Sequence, residues 1–166
     1  SGAGGQRAAI AAAKLGKSVC VIERAATVGG AMINTGTIPS KALREAILRL
    51  GGIHSSSDIN QTRATLFRNI LESCQDVIRA EVTTIARHFR NNGIELLHGV
   101  ASFTSPTTVA VTSPGFTTQV SAPRIVIAVG SAPARPDNIQ FDGKHILTSD
   151  EVLGLTSIPR SIIVVG

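Results

Sequence analysis

Apolar residues along this chain are arranged with two different periods, and the change from one to the other marks out the elements. Residues 6–16, QRAAIAAAKLG, are Ala-rich and predict a helix with Gly16 as its stop. Residues 18–23, SVCVIE, are continuously apolar and rich in β-branched side chains, the pattern of a buried parallel strand. Together they predict the second and third parts of a β-α-β unit, whose first strand is expected before Ser1. A Gly-rich loop follows, then a helix from about Pro39 to Leu50. Pro suits its first turn, where no amide hydrogen is needed, and Ala42, Leu43, Ala46, Ile47 and Leu50 form the expected buried stripe. GGIHSSSDIN reads as a polar loop. A long helix is predicted from about Thr62 to Arg90, because Leu66, Phe67, Ile70, Leu71, Cys74, Val77, Ile78, Ile85 and Phe89 keep helical spacing throughout. Asn91-Asn92-Gly93 ends it.

Beyond Gly93 the pattern turns to strands. IELLHGVASF, TTVAVTS and TTQVSA are predicted strands, the last two joined by a turn at Pro114-Gly115. RIVIAVG predicts a second fully apolar parallel strand, SAPARP an extended linker, and SIIVVG a further strand that begins something new. The order predicts an α/β, Rossmann-like fold, a parallel sheet with helices plus a small antiparallel β layer.

Composition narrows the function classes. The chain has 166 residues, enough for one domain with a sizeable core. It has no Trp and no Tyr, which disfavours stacking on nucleic-acid bases. The net charge is +5, but the best-grouped basic residues, Arg63, Arg68, Arg79, Arg87 and Arg90, alternate with Glu72, Asp76 and Glu81 on the long helix. That is the signature of a solvated helix face, and no nucleic-acid partner is expected. Cys20 and Cys74 are far apart; Cys20 lies within an apolar strand and is expected to be buried and inert. Neither suggests a disulfide framework, which fits a reducing, cytoplasmic compartment. His54, His88, His98 and His145 lack metal-ligand spacing, so no metal is expected. No apolar run reaches the length of a membrane span, and no membrane partner is expected.

Candidate chemistry begins at SGAGG. Gly2 and Gly5 fit the second and third glycines of G-x-G-x-x-G if Gly precedes Ser1. Such a turn brings backbone close to a pyrophosphate and offers it the amides of the following helix. Glu23 ends the next strand, 21 residues after Gly2, where a carboxylate can accept from both hydroxyls of an adenosine ribose. The same charge repels a 2′-phosphate, so the ligand at this place is expected to be FAD or NAD, not NADP.

The stretches SGAGG, VIERAATVGG, NTGTIPSKALREA, HGVASF, RIVIAVGSAPARP and ILTSDEVLGL…IPRSIIVVG resemble, as a set, the N-terminal FAD region of the pyridine nucleotide-disulfide oxidoreductase family. In that family residues 29–41, here GGAMINTGTIPSK, follow the pattern G-G-x-C-x-N-x-G-C-I-P-S-K, and the two cysteines relay electrons between flavin and a disulfide. Met32 and Thr37 hold those two places. A thioether cannot form a disulfide with a hydroxyl, so thiol–disulfide exchange is chemically impossible here. Gly29, Gly30, Asn34, Gly36, Ile38, Pro39, Ser40 and Lys41 all keep the pattern. Thr37 and the run SKALREAILRL are similar to the branch that moves hydride between NAD(H) and NADP(H), the transhydrogenases; Met32 departs from that branch, which usually keeps the first Cys. The resemblance places Lys41 near the flavin N5, and Ala101 backbone against the adenine. It assigns Ala128 and Gly130 to a strand end packed on the cofactor, with Val129 replacing a Thr. Arg24, beside Glu23, and the Gly29-Gly30 pair belong to the same cofactor set.

The expectations are therefore these. Residues 1–160 form an incomplete FAD-binding domain, and 161–166 the first strand of an NAD(P)-binding domain whose glycine-rich turn Gly166 opens, in a chain covering about the first third of the parent. The parent transfers hydride between NAD(H) and NADP(H) through FAD, with nicotinamide nucleotides as partners and a homo-oligomeric state implied by the family. The alternatives are a non-catalytic flavin-binding module and a flavin reductase with another acceptor, such as a quinone.

Overall fold

The first helix, α1 (Ala3–Lys14), opens at Gly2 and runs into β1 (Cys20–Glu23). These and all later elements come from a computed structural model that describes residues 1–51, 59–157 and 159–165, with the side chains of all but 49–51, 59–64 and 66. After β1 come α2 (Gly30–Asn34), α3 (Thr37–Gly51) and the 33-residue α4 (Ile59–Asn91). Four further strands, β2 (Glu95–His98), β3 (Val100–Ser105), β4 (Thr108–Ser113) and β5 (Phe116–Ser121), follow α4 and precede a 3-10 turn at Ser149–Gly154.

β1 and β2 pair in parallel, Cys20 opposite Glu95 and Glu23 opposite His98. β3, β4 and β5 form a separate antiparallel sheet in that order. The predicted strand IELLHGVASF is thus two strands in two sheets, divided at Gly99. There the amide donates to the Glu23 carbonyl at 2.9 Å, and a Cβ would lie 2.7 Å from Val111 Cγ1. The Pro114-Gly115 turn stands where it was expected, between Ser113 and Phe116.

Two helices end as their sequences predict. After α4 the Gly93 amide donates to the Arg90 carbonyl and the Ile94 amide to that of Phe89, with φ of 64° at Gly93. This is a Schellman closure, and its hydrophobic contact is supplied by the buried Phe89 and Ile94. α1 closes on Gly16 with the equivalent pair of bonds, from Gly16 to Ala13 and from Lys17 to Ala12.

The chain folds as two compact units, 1–34 with 79–132, and 35–78 with 133–166. In the first unit the buried apolar side chains among the described residues are Ala9, Val21, Val28, Ile33, Ile85, Phe89, Ile94, Val109 and Val111. In the second, Ile70, Cys74 and Ile78 are buried along one face of α4, and Arg68, Glu72 and Asp76 lie on its exposed side. The long helix therefore buries its predicted stripe at Ile70, Cys74 and Ile78, whereas Val77, also expected there, is 40% exposed. The 3-10 turn in this unit is fixed by a capping box between Thr148 and Glu151, and Glu151 also receives Arg135 at 2.6 Å.

Several expectations are corrected. α3 starts at Thr37, and its predicted stripe is only partly covered: Leu43 is half-buried and Ile47 is 50% exposed. Cys20 is half-buried, whereas Cys74 is the fully buried thiol. RIVIAVG and SIIVVG form no strand, because a strand exists through its ladder and no described segment pairs with either. Their side chains are accordingly open, with Val129 84% and Val165 92% exposed. Of the predicted loop GGIHSSSDIN, residues 52–58, including His54, lie outside the described residues, as do Ile158 and Gly166; Gly51 belongs to α3 and Ile59 to α4. No helix among the described residues is long and apolar enough to cross a membrane.

Candidate functional site

Glycine at positions 2, 5 and 30 lets three backbone segments of the first unit converge. Gly2 is the N-cap of α1 and supplies no side-chain cap, and the first turn carries no acidic residue. The opening amides of a 12-residue helix are thus left to an outside acceptor, at the positive end of its dipole. Gly30, at the start of α2, faces this turn so closely that a Cβ on it would lie 2.7 Å from Gly2 Cα and 3.2 Å from Gly2 N. Its φ of 60° independently selects glycine. A Cβ on Gly5 would meet Ala128 Cβ at 3.4 Å, which seats the predicted Ala128 against the start of α1.

Glu23 is 9% exposed at the end of β1. One carboxylate oxygen accepts from the Ala25 amide at 2.9 Å. The other accepts from the Ser1 hydroxyl and, at 2.9 Å, from the Ser1 main-chain nitrogen. Burial pushes this carboxyl up, but the bonds from the Ser1 hydroxyl and the Ala25 amide act against burial and hold it below the usual carboxylate range. It is therefore an anionic acceptor across the physiological range. Ser1 Oγ also accepts from the Gly29 amide at 3.1 Å, so one hydroxyl joins the α1 turn, the β1 carboxylate and the Gly29-Gly30 turn.

That second turn is held from its other side by Asn34. Its Nδ2 donates to the carbonyls of Val28 at 3.2 Å and Gly30 at 3.0 Å, and its Oδ1 accepts from Thr27 Oγ1. The stretch expected to be a Gly-rich loop is consequently a short helix, α2, which carries Met32 half-buried and Ile33 fully buried.

The structure thus joins Gly2 with Gly30, Gly5 with Ala128, and Glu23 with Gly29 through Ser1. Arg24 is exposed in the loop after Glu23, Ala101 is exposed on β3 opposite Val111, and Gly130 is exposed with φ of 74°. Thr37 and Lys41 stand in the first turns of α3, in the second unit, both exposed. Sequence reading missed the roles of Ser1 and His98. The position of Ser1 inside the glycine turn was a usable signal for the first; His98 gave none, since its contact depends on strand register.

A parallel strand pair with a helix crossing from a glycine turn, a carboxylate at the strand end and an appended antiparallel sheet define the class: an α/β domain of the FAD/NAD(P)-binding, Rossmann-like kind. The chain belongs to the pyridine nucleotide-disulphide oxidoreductase family, whose model matches residues 1–166. It is 42% identical, over its full length, to the soluble pyridine nucleotide transhydrogenase of Mycobacterium tuberculosis, and 38% identical to that of Colwellia psychrerythraea. The chain spans about 37% of the length of the first of these relatives and about 36% of the second. Among solved structures it resembles LpdA from Mycobacterium tuberculosis, with a TM-score of 0.79 at 23% identity over 95% of this chain and 36% of that one. The HOCl-induced flavoprotein disulfide reductase RclA from Escherichia coli gives a TM-score of 0.75 at 21% identity, over 95% of this chain and 33% of that one. These two likenesses establish the fold.

Proposed function

We propose that this chain is the FAD-holding part of a flavoprotein that moves hydride between NAD(H) and NADP(H) without a redox disulfide. The observation that carries the reading is the pair Met32 and Thr37, standing in a motif whose other residues, Gly29 to Lys41, keep the family pattern. Neither side chain supplies a thiolate. The names of the relatives that match along the whole of this chain support the same direction.

The residues present fit FAD. The uncapped amides of α1, reached over Gly2 and Gly5, suit a pyrophosphate, and the glycines leave open the space that a Cβ would fill. Glu23, ionised and held at both oxygens, has the acceptor capacity for ribose hydroxyls; the Ser1 hydroxyl can turn from it toward the same ligand. The backbone of Ala101 is the proposed adenine contact, and Arg24, Ala128 and Gly130 complete the set in this unit. For Thr37 and Lys41 the assignment rests on motif position. When bound, FAD supplies the two-electron chemistry of its isoalloxazine ring, taking up hydride and giving it back. The chain's own part is to bind, orient and supply charge, with no side-chain nucleophile required.

The test uses the full-length protein that contains this chain. Reduction of thio-NAD⁺ by NADPH is expected at ordinary enzymatic rates, and turnover of dihydrolipoamide or glutathione disulfide is expected to be absent. Sustained disulfide turnover, or failure of the FAD-loaded protein to pass hydride between the nucleotides, would overturn the proposal.

A further inference from the structure

We propose that His98 is a positioning residue for the adenosine end of the site, acting on the ligand through the Glu23 carboxylate. The inference rests on the assignment of Glu23 to the ribose. β1 and β2 are in register at their last residues, so His98 lies directly across the ladder from Glu23. Its Nδ1 is 3.0 Å from the carbonyl oxygen of Ala25. A carbonyl can only accept, so the ring carries a proton on Nδ1 and donates it.

The Ala25 peptide is the one that matters to the acid. The amide of Ala25 donates to Glu23 Oε1 at 2.9 Å. The next peptide along, through its carbonyl, is what His98 holds. Directly below, the Gly99 amide donates to the Glu23 main-chain carbonyl at 2.9 Å. The end of β2 therefore grips the 23–25 turn at two points, one at each side of the residue whose side chain must face the ligand. Ser1 fixes only the second carboxylate oxygen. Without His98, the turn that aims Oε1 is tied by the backbone bond alone. His98 is itself exposed, so its ring contributes little to the core and its value lies in direction.

Nδ1 of histidine and Nδ2 of asparagine occupy nearly the same place relative to the backbone, whereas the amide of glutamine reaches one bond further. This gives the experiment its discrimination. Full-length protein is stripped of flavin and titrated with FAD by flavin fluorescence, for wild type, His98→Ala, His98→Asn, His98→Gln, Glu23→Gln and the Glu23→Gln/His98→Ala double variant. His98→Ala and His98→Gln are expected to weaken binding about five-fold, the worth of one ordinary hydrogen bond. His98→Asn is expected to stay within about two-fold of wild type, because it restores the donor. In the Glu23→Gln background the alanine substitution is expected to have a clearly smaller effect, since the neutral amide oxygen still accepts but the charge-assisted bond whose direction His98 sets is gone. Full additivity of the two substitutions, or wild-type affinity in His98→Ala alongside weakened Glu23→Gln, would overturn the role of His98 while leaving the ribose assignment standing. Wild-type affinity in Glu23→Gln would overturn the ribose assignment and this inference with it.

Discussion

Gly30 and Gly93 share nearly the same backbone conformation, with φ of 60° and 64°, yet their surroundings differ completely. A Cβ at Gly93 would meet nothing within 4 Å, whereas one at Gly30 would lie 2.7 Å from Gly2 Cα. Gly93→Ala should cost only the left-handed conformation, about 1–2 kcal/mol. Gly30→Ala adds a displacement of backbone against backbone, of the order of overpacking, and should cost roughly 3 kcal/mol or more. Urea unfolding of the two variants of the full-length protein measures the difference, and equal losses would mean that the two turns are not in contact. At this scale much was legible. Gly2, Gly5 and Glu23 could be read from their spacing, because the motif encodes a turn and a strand end. The bonds of Ser1, Asn34 and His98 could not be read in the same way. Their partners lie 28, 6 and 73 residues away for Gly29, Val28 and Ala25, and only the folded register selects them.

Among the elements, α4 was the most legible, and for a physical reason. Ile70, Cys74, Ile78, Ile85 and Phe89 hold one face over many turns, so the period is over-determined. α2 has five residues, too few to show a period at all. RIVIAVG has the composition of a buried strand but finds no ladder among the described residues, since pairing is a property of two segments and composition of one. The anchor of the first unit's share of α4 is Phe89, 2% exposed and bonded through its carbonyl to Ile94. Phe89→Ala should remove about 3–5 kcal/mol of stability, as large-to-small changes at filled sites do. The backbone closure at Gly93 should survive the change, so far-ultraviolet circular dichroism of the folded variant is expected to match wild type. A loss below about 1 kcal/mol in denaturant unfolding would show that the ring is not packed.

For the molecule as a whole, the fold class followed from the chain pattern and the family from the resemblance of its motifs, and the division into two units from neither. Each compact unit carries an open apolar run: Val126, Ile127 and Val129 in the first, and Ile162 to Val165 in the second. Unpaired apolar segments of this kind drive association. A preparation of residues 1–166 alone is expected to self-associate at micromolar concentration, and Val126→Lys with Ile163→Lys should shift its sedimentation distribution toward monomer. A monodisperse wild-type monomer would contradict this.

The ladder between β1 and β2 joins Cys20 to Glu95, with 75 positions separating the paired residues. Closing so long an excursion costs about 3 kcal/mol more than closing a tight hairpin, yet the cost rises only with the logarithm of length. Ten residues added anywhere between the two strands would raise it by about 0.1 kcal/mol. The place where Glu23 and His98 face each other is therefore almost indifferent to how much chain lies between them. Insertions and deletions in the intervening helices can accumulate in descendants of this sequence without disturbing the end of the sheet where the nucleotide site is proposed.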